Sequence, residues 1–273
     1  MPVQAMLAVK KSRRGAADGE STLFMGSLSK CFQVLEALNG AGRAVGLTEL
    51  ALLTGLDRSG VQRITHTLRV LGYLRQDPAT KAFQLSGRML EFGHTVLATN
   101  PVRERAQPHL EALNRRSCET VNLMEMEGDE IVYVSRFPSV HAVSVDLHVG
   151  SRLPAFCTAA GRAILSRMDP AQALAQLKGA RRSAMTPFTM TELADLSQAL
   201  EAARERGYAL NNQEAFVGDI SVAAPLLDHL GRPLGAVNIA VPSPRWQLDE
   251  VLARLVPQLL KTAAVINKAL RHF

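Results

Sequence analysis

The chain has 273 residues, 47% of them hydrophobic and 21% charged, with a net charge of +6. That length holds one large domain or two smaller ones, and the composition is that of an ordinary globular protein. No apolar run approaches the roughly 18 to 20 residues of a membrane span, so no membrane partner is expected. The basic residues near the N-terminus (Lys10, Lys11, Arg13 and Arg14) lead into no apolar stretch, so no secretory signal is expected either.

Residues 1–25 read as a disordered basic arm. Ser27 to Leu38 has helical spacing of Leu28, Phe32, Leu35 and Leu38, and Asn39-Gly40-Ala41-Gly42 ends it. A short second helix is expected to start at Thr48 as its N-cap, and Thr54-Gly55-Leu56 to be a tight turn. Asp57 or Ser59 caps a third helix running to about Leu71, with Val61, Ile64, Leu68 and Leu71 inside and Gly72 as the stop. Two short segments, Tyr73–Gln76 and Lys81–Leu85, flank the turn Asp77-Pro78-Ala79-Thr80 and predict a β-hairpin. A helix over Ser86–Thr99 follows, and Asn100-Pro101 breaks it as a domain boundary.

The rest mixes strands and helices. Val102–Arg116 is helical. Thr120–Glu127 and Glu130–Phe137 flank Gly128-Asp129 as a hairpin. His141–Val149 alternates like a strand, with Val143, Val145, Leu147 and Val149 on one face. Helices are expected at Thr158–Arg167, Asp169–Leu177, Thr191–Arg206 and Leu248–His272. Strands are expected at Asp219–Leu227 and Leu234–Val241. Hairpins mixed with helices predict an antiparallel α+β domain, not a βαβ array.

Three dispersed cysteines (Cys31, Cys118 and Cys157) and no CxxC pair argue against a disulfide framework and a zinc site, and fit a reducing, cytoplasmic location. No cofactor or metal is expected. The charge is unevenly placed: residues 1–90 carry 12 Lys or Arg against 6 Asp or Glu, and residues 91–273 carry 19 against 19. A basic module on a neutral body points to an anionic partner for that module, and nucleic acid is the commonest one.

Two short helices joined by a tight turn, with a third packed behind and a hairpin after them, predict a winged helix-turn-helix. The polar surface of the third helix presents Arg58, Ser59, Gln62, Arg63 and His66. Arg forks to guanine and Gln to adenine in the major groove, and the N-terminal part of a recognition helix commonly does the reading. Ser59, Gln62 and Arg63 are assigned to bases, Arg58 and Thr48 to phosphates, and Lys81 on the wing to backbone or minor groove.

These segments resemble the IclR-type bacterial transcriptional regulators. The resemblance runs from about Ser27 to the C-terminus. It rests on SLSKCFQVLEAL, LTELALLTGLDRSGVQRITHTLRVLGYL and FQLSGRMLEFG in the first part. In the second it rests on VGSRLPAFCTAAGRAILS and GDISVAAPLLDHLGRPLGAVNIAVPSPRW. The segment from Leu153-Pro154 through Thr158-Ala159-Ala160-Gly161-Arg162 is the most specific part. The resemblance implies a winged helix-turn-helix over 26–88, a linker helix over 89–100 used in dimerisation, and a GAF-like mixed α/β effector-binding domain over 101–273. It also implies dimers or tetramers, and small organic acids as effectors in the control of catabolic genes. VGSRLPAFCTAAGR is similar to the branch that senses aromatic acids of the β-ketoadipate route. In operation, a dimer would place two third helices on a pseudo-palindromic operator in double-stranded DNA. Effector binding would then change DNA affinity or RNA polymerase contact through the linker helix.

By motif, the resemblance places Val145, Ala159, Ala160, Asn211, Ser221, Asn238 and Ala240 in an effector pocket. The residues themselves support a helix start at Cys157-Thr158-Ala159-Ala160-Gly161, where free backbone N–H groups favour an anion. Arg152 and Arg162 are alternative carboxylate partners. Arg162 is read equally well as a bridge to a surface carboxylate, and Asn238 as a satisfied core amide. The chain departs from the commonest pattern at Ser221, where many members carry Cys, and at Asn238 and Ala240, where some carry Ser. Two rival readings are an enzyme with Cys157 as nucleophile and His141 or His148 as base, and a sensor whose first module binds protein.

Overall fold

The computed structural model describes residues 22–141 and 145–271. Most of the basic arm, Val143 and His272 lie outside the described residues. The chain divides between Val96 and Leu97 into two compact units.

The first unit is built on α1 (Gly26–Ala41), α2 (Leu47–Thr54) and α3 (Arg58–Val70), followed by strands β1 (Leu74–Gln76) and β2 (Phe83–Leu85). Its core is Val34, Leu38, Val45, Leu50, Val61, Leu68, Leu74 and Phe83, drawn from all three helices and the hairpin. Gly55 ends α2 at φ 68°, the left-handed conformation that a residue without Cβ adopts at least cost, and this makes the tight turn into α3. Asp57 caps α3 by accepting from the Gly60 N–H at 2.7 Å. The antiparallel β1–β2 pair joins Leu74 to Leu85 and Gln76 to Phe83, and Val45 bridges to Phe83. This is a winged helix-turn-helix. The helix α4 (Met89–Ala98) follows and carries Phe92 and Val96 exposed.

Three expectations for this unit are corrected. Thr48 does not cap α2: Gly46 does, and Thr48 is the exposed second residue of the helix. Leu71 does not belong to the buried face of α3. It is 50% exposed, and the third inner position is Thr65, fully buried because its hydroxyl donates back to the Val61 carbonyl at 2.9 Å. The segment after the wing becomes α-helical only at Met89, because Ser86 turns the chain by donating its hydroxyl to the Gly72 carbonyl at 2.6 Å.

The second unit opens with α5 (Pro101–Ser117), capped by Asn100, and then forms β3 (Thr120–Glu127) and β4 (Glu130–Phe137). β5 (Arg152–Pro154), a 3-10 turn (Ala155–Cys157) and α6 (Ala159–Leu165) follow, then α7 (Pro170–Gly179), α8 (Leu193–Arg206) and β6 (Ala209–Asn212). β7 (Asp219–Leu227) and β8 (Pro233–Pro242) complete the strands. The closing helix α9 runs through α (Leu248–Glu250), π (Val251–Leu255) and α (Val256–Ala269) segments. Pro257 supplies no N–H to the helix ladder, and the π segment lies just before it.

The six strands form one antiparallel sheet in the order β5-β4-β3-β8-β7-β6. Side chains alternate between its faces. One face sets Val121, Leu123, Val222, Val237 and Ile239 against α5 and α9. The other carries Met124, Tyr133, Ala223 and Ala236 toward α6. The antiparallel α+β expectation holds for the whole sheet. Two details differ. No strand lies at 145–149 among the described residues; the edge strand is β5, a few residues later. β6, of four residues, was not anticipated.

Candidate functional site

The outer surface of α3 is polar apart from Val70 at its last position. Arg58, Ser59, Gln62, Arg63 and His66 are all exposed, as is Arg69, which sequence reading passed over. Arg58, Arg63 and Arg69 make no ion pair among the described residues, so their charge is free for phosphate or base edges. The Ser59 hydroxyl donates to Asp57 Oδ1 at 2.6 Å, which leaves it only its lone pairs to offer. That bond and the Gly60 N–H hold the Asp57 carboxyl below its usual range. Thr48 is exposed on α2. Lys81 is exposed at the wing turn in a left-handed conformation, φ 58°. Asp77 ties that turn together by accepting from the Ala79 and Thr80 N–H groups and the Thr80 hydroxyl. Two other arginines are spent inside the domain. Arg43 pairs with Glu49, and Arg88 donates to the Leu71 carbonyl and stacks over Tyr73.

The second unit holds a partly open cavity between the sheet and α6. Val145, Thr158, Ala159 and Ala160 line it from the loop and helix side. Asn211, Ser221, Asn238 and Ala240 line it from the sheet. Arg152 does not reach it: its guanidinium is taken by Glu127 at 2.8 Å and Glu130 at 3.0 Å on the sheet edge. Strand register explains the polar wall. Arg136 opposes Asn122, and Asn122 opposes Asn238, so the three side chains stand in a row on one face. Arg136 Nη1 donates to Asn122 Oδ1 at 3.1 Å, and Asn122 Nδ2 donates to Asn238 Oδ1 at 2.8 Å.

Several groups on this wall have no hydrogen-bond partner among the described residues: the Ser221 and Tyr133 hydroxyls, the Asn238 amide N–H groups and the Asp219 carboxyl. Loss of surrounding water pushes the Asp219 carboxyl up to about 7, with Arg136 opposing the shift. The same loss pushes the Tyr133 phenol up and the Arg136 guanidinium down. Arg136, Asp219 and Tyr133 were missed in the sequence because the signal lies in strand register, not in any local motif.

The motif around α6 is largely a frame for this wall. Thr158 caps α6, accepting from the Gly161 N–H at 3.2 Å. A Cβ at Gly161 would run into the Ala155 backbone, so only glycine lets α6 sit against the 3-10 turn. Arg162 is buried and forks onto Glu214, with Nη1 to Oε1 at 2.6 Å, while its Nε donates to the Phe156 carbonyl at 2.8 Å. It is neither a surface bridge nor a cavity residue. Asn211 lines the cavity, but its amide is engaged: Nδ2 donates to the Cys157 carbonyl and Oδ1 accepts from the Glu214 N–H, both at 2.9 Å. At the other end, Glu119 is held by Arg245 at 2.5 Å and by Trp246 Nε1 at 2.9 Å. α6 itself is short, with seven residues. Cys157 is buried, donates to the Pro154 carbonyl and does not line the cavity; His141 and His148 are exposed.

A winged helix-turn-helix followed by an α/β unit around a polar cavity defines a DNA-binding regulator with a sensor domain. Residues 27–78 match the IclR helix-turn-helix domain, and residues 94–268 match the bacterial transcriptional regulator IclR C-terminal domain. The chain belongs to the IclR family of bacterial transcriptional regulators, whose members are regulators and not enzymes. It is 34% identical over 238 residues to the Pca regulon regulatory protein of Pseudomonas putida, covering 87% of this chain and 81% of that protein. A crystal structure of a transcriptional regulator from Rhodococcus sp. RHA1 superposes with a TM-score of 0.79 at 32% identity, covering 90% of this chain and 98% of that one. The inducer-binding domain of the PobR transcription factor from Acinetobacter, a double mutant in complex with 3-hydroxybenzoic acid, superposes with a TM-score of 0.55 at 27% identity. It covers 59% of this chain and 95% of that one.

Proposed function

We propose that this regulator binds a pseudo-palindromic operator in double-stranded DNA through α3 and answers to a small organic acid, of the aromatic class, held in the cavity beneath α6. The observation that carries the effector half is convergence. Seven residues marked by motif between Val145 and Ala240 line one cavity, and on its sheet wall the Ser221 and Tyr133 hydroxyls and the Asn238 amide N–H groups have no protein partner among the described residues. Such groups are stable when a ligand or water satisfies them. The aromatic class draws on the Pca regulon regulator and on the hydroxybenzoic acid in the PobR domain. In this reading Gln62 and Arg63 contact bases, Arg58, Thr48 and Lys81 contact the backbone, and Ser59 acts as an acceptor. The protein works in the cytoplasm as a homodimer or tetramer controlling catabolic genes. The effector changes DNA affinity or contact with RNA polymerase.

A thermal-shift screen of benzoate and the hydroxybenzoates tests the effector, since a ligand of the native state raises the melting point. Mobility shifts on the protein's own promoter, with competitor DNA, test the operator. A sequence-specific shift lost in Arg63→Ala and altered by the stabilising acid is expected. No shift on any promoter fragment refutes the DNA half, and no stabilisation by any acid refutes the effector half.

A further inference from the structure

The cavity wall carries two side chains of opposite charge that do not meet. Arg136 stands on β4 and Asp219 at the start of β7, three strands apart in the sheet and four residues out of register, since Arg136 aligns through Asn122 with Asn238 while Asp219 pairs with Pro242, yet each still acts on the other electrostatically. They form no ion pair with one another or with any other described residue. Arg136 touches only neutral acceptors, Asn122 Oδ1 at 3.1 Å and the Val145 carbonyl at 3.5 Å. The Asp219 carboxyl accepts no hydrogen bond among the described residues, while its backbone carbonyl accepts from the Gln213 N–H at 2.7 Å. The remaining charged groups that face them are accounted for. Asp146, exposed on the loop, acts on Arg136 from a distance, and Glu119 is committed to Arg245 and Trp246.

We infer that Arg136 and Asp219 set the specificity of the cavity: Arg136 binds the effector's carboxylate, and Asp219 accepts a hydrogen bond from a hydroxyl on the same molecule. The ligand class is therefore a hydroxy-carboxylic acid, not an unsubstituted acid. This rests on the organic-acid reading above. A partly desolvated guanidinium with no counter-ion gains most from a planar carboxylate, which matches its fork. Ionised above a pH of about 7, Asp219 repels a second anion. What Asp219 lacks is a donor, and a hydroxyl supplies one. Tyr133, on the same wall with its phenol kept neutral by burial, adds a second partner for that hydroxyl. A cation is a poorer occupant of the Asp219 end, since no group of three metal-ligating side chains exists among the described residues.

Calorimetric titration of the full-length protein with benzoate, 3-hydroxybenzoate and 4-hydroxybenzoate separates the two roles. Wild-type protein is expected to bind a hydroxylated acid more tightly than benzoate. Asp219→Ala is expected to lose about tenfold or more for the hydroxylated acid, the scale of a hydrogen bond to a charged group, and to change little for benzoate. Asp219→Asn, which keeps the shape and weakens the acceptor, is expected to lose part of that preference and serves where the alanine variant melts early. Arg136→Gln is expected to lose all the acids alike, by about tenfold or more. Equal losses for benzoate and the hydroxylated acid in both Asp219 variants overturn the hydroxyl assignment. Wild-type affinity in Arg136→Gln overturns the carboxylate assignment. Wild-type protein that binds none of the three acids overturns the aromatic-acid reading itself, and this inference with it.

Discussion

Arg162 and Glu214 are the residue pair on which the cavity's frame depends. Both are buried, and together they join α6, the 3-10 turn and the loop before β7. Removing one partner strands a buried charge, which typically costs about 3 to 5 kcal/mol. Arg162→Ala should therefore lower the melting temperature of the second unit by roughly 6 to 20 °C. The double change Arg162→Met with Glu214→Leu should recover much of the loss, because an apolar pair of similar volume needs no compensation. Asp219 makes the opposite prediction about pH. Its carboxyl lies at about 7 in the fold, against about 3.9 in an unfolded chain. Between those values the native state binds a proton that the unfolded state does not, so stability falls as pH rises from about 4 to about 7, by at most about 4 kcal/mol. Arg136 opposes the effect, and Tyr133 stays neutral throughout that range. Asp219→Asn should flatten this fall and raise the melting temperature at pH 7.5, read by circular dichroism melts across pH.

At the scale of elements, α3 shows what a sequence makes visible. Its cap, apolar stripe and polar outer face follow from helical periodicity, and Gly55 marks the turn before it. Gln62→Ala should cost about 1 to 3 kcal/mol in operator binding and relax preference at one base pair, while Asp57→Ala should cost about 0.5 to 2 kcal/mol of first-unit stability through the lost cap. Fluorescence anisotropy on operator variants and thermal melts read the two. β3, β4 and β7 were legible to the residue, since apolar-rich runs end or restart at the turn Gly128-Asp129 or begin after Gly218. β5 and β6 were not, because three or four residues carry too little alternation to distinguish a strand from a loop. The alternation over His141–Val149 gives no strand in its described part, 145–149. In the cavity, Thr158, Ala159, Ser221 and Asn238 could be marked because each lies in a recognisable segment. Arg136, Asp219 and Tyr133 could not, because only the pairing of β4 with β3, β3 with β8 and β8 with β7 brings them to one wall.

Across the whole molecule, charge is divided as the two tasks require: the excess cations lie in residues 1–90, and the remainder is balanced. Binding to DNA should therefore weaken steeply with salt, because each neutralised phosphate releases counter-ions with a slope of about −0.9 in log K against log salt. Arg58→Ala should reduce that slope by about one and weaken operator and random DNA alike, unlike Gln62→Ala, which acts on the operator alone. Effector affinity, resting on a unit of balanced charge and a partly enclosed cavity, should depend less on salt. The two sites can then be tested for coupling without confusing one with the other. If the acid changes operator affinity by some factor, the operator must change the acid's affinity by the same factor, commonly about 5- to 150-fold. Calorimetric titration of the acid with and without operator, and anisotropy titration of operator with and without the acid, should give equal factors at one salt concentration. An acid that binds equally well in both cases can act only after DNA is bound, through polymerase contact; transcription in vitro would then respond to the acid at constant operator occupancy.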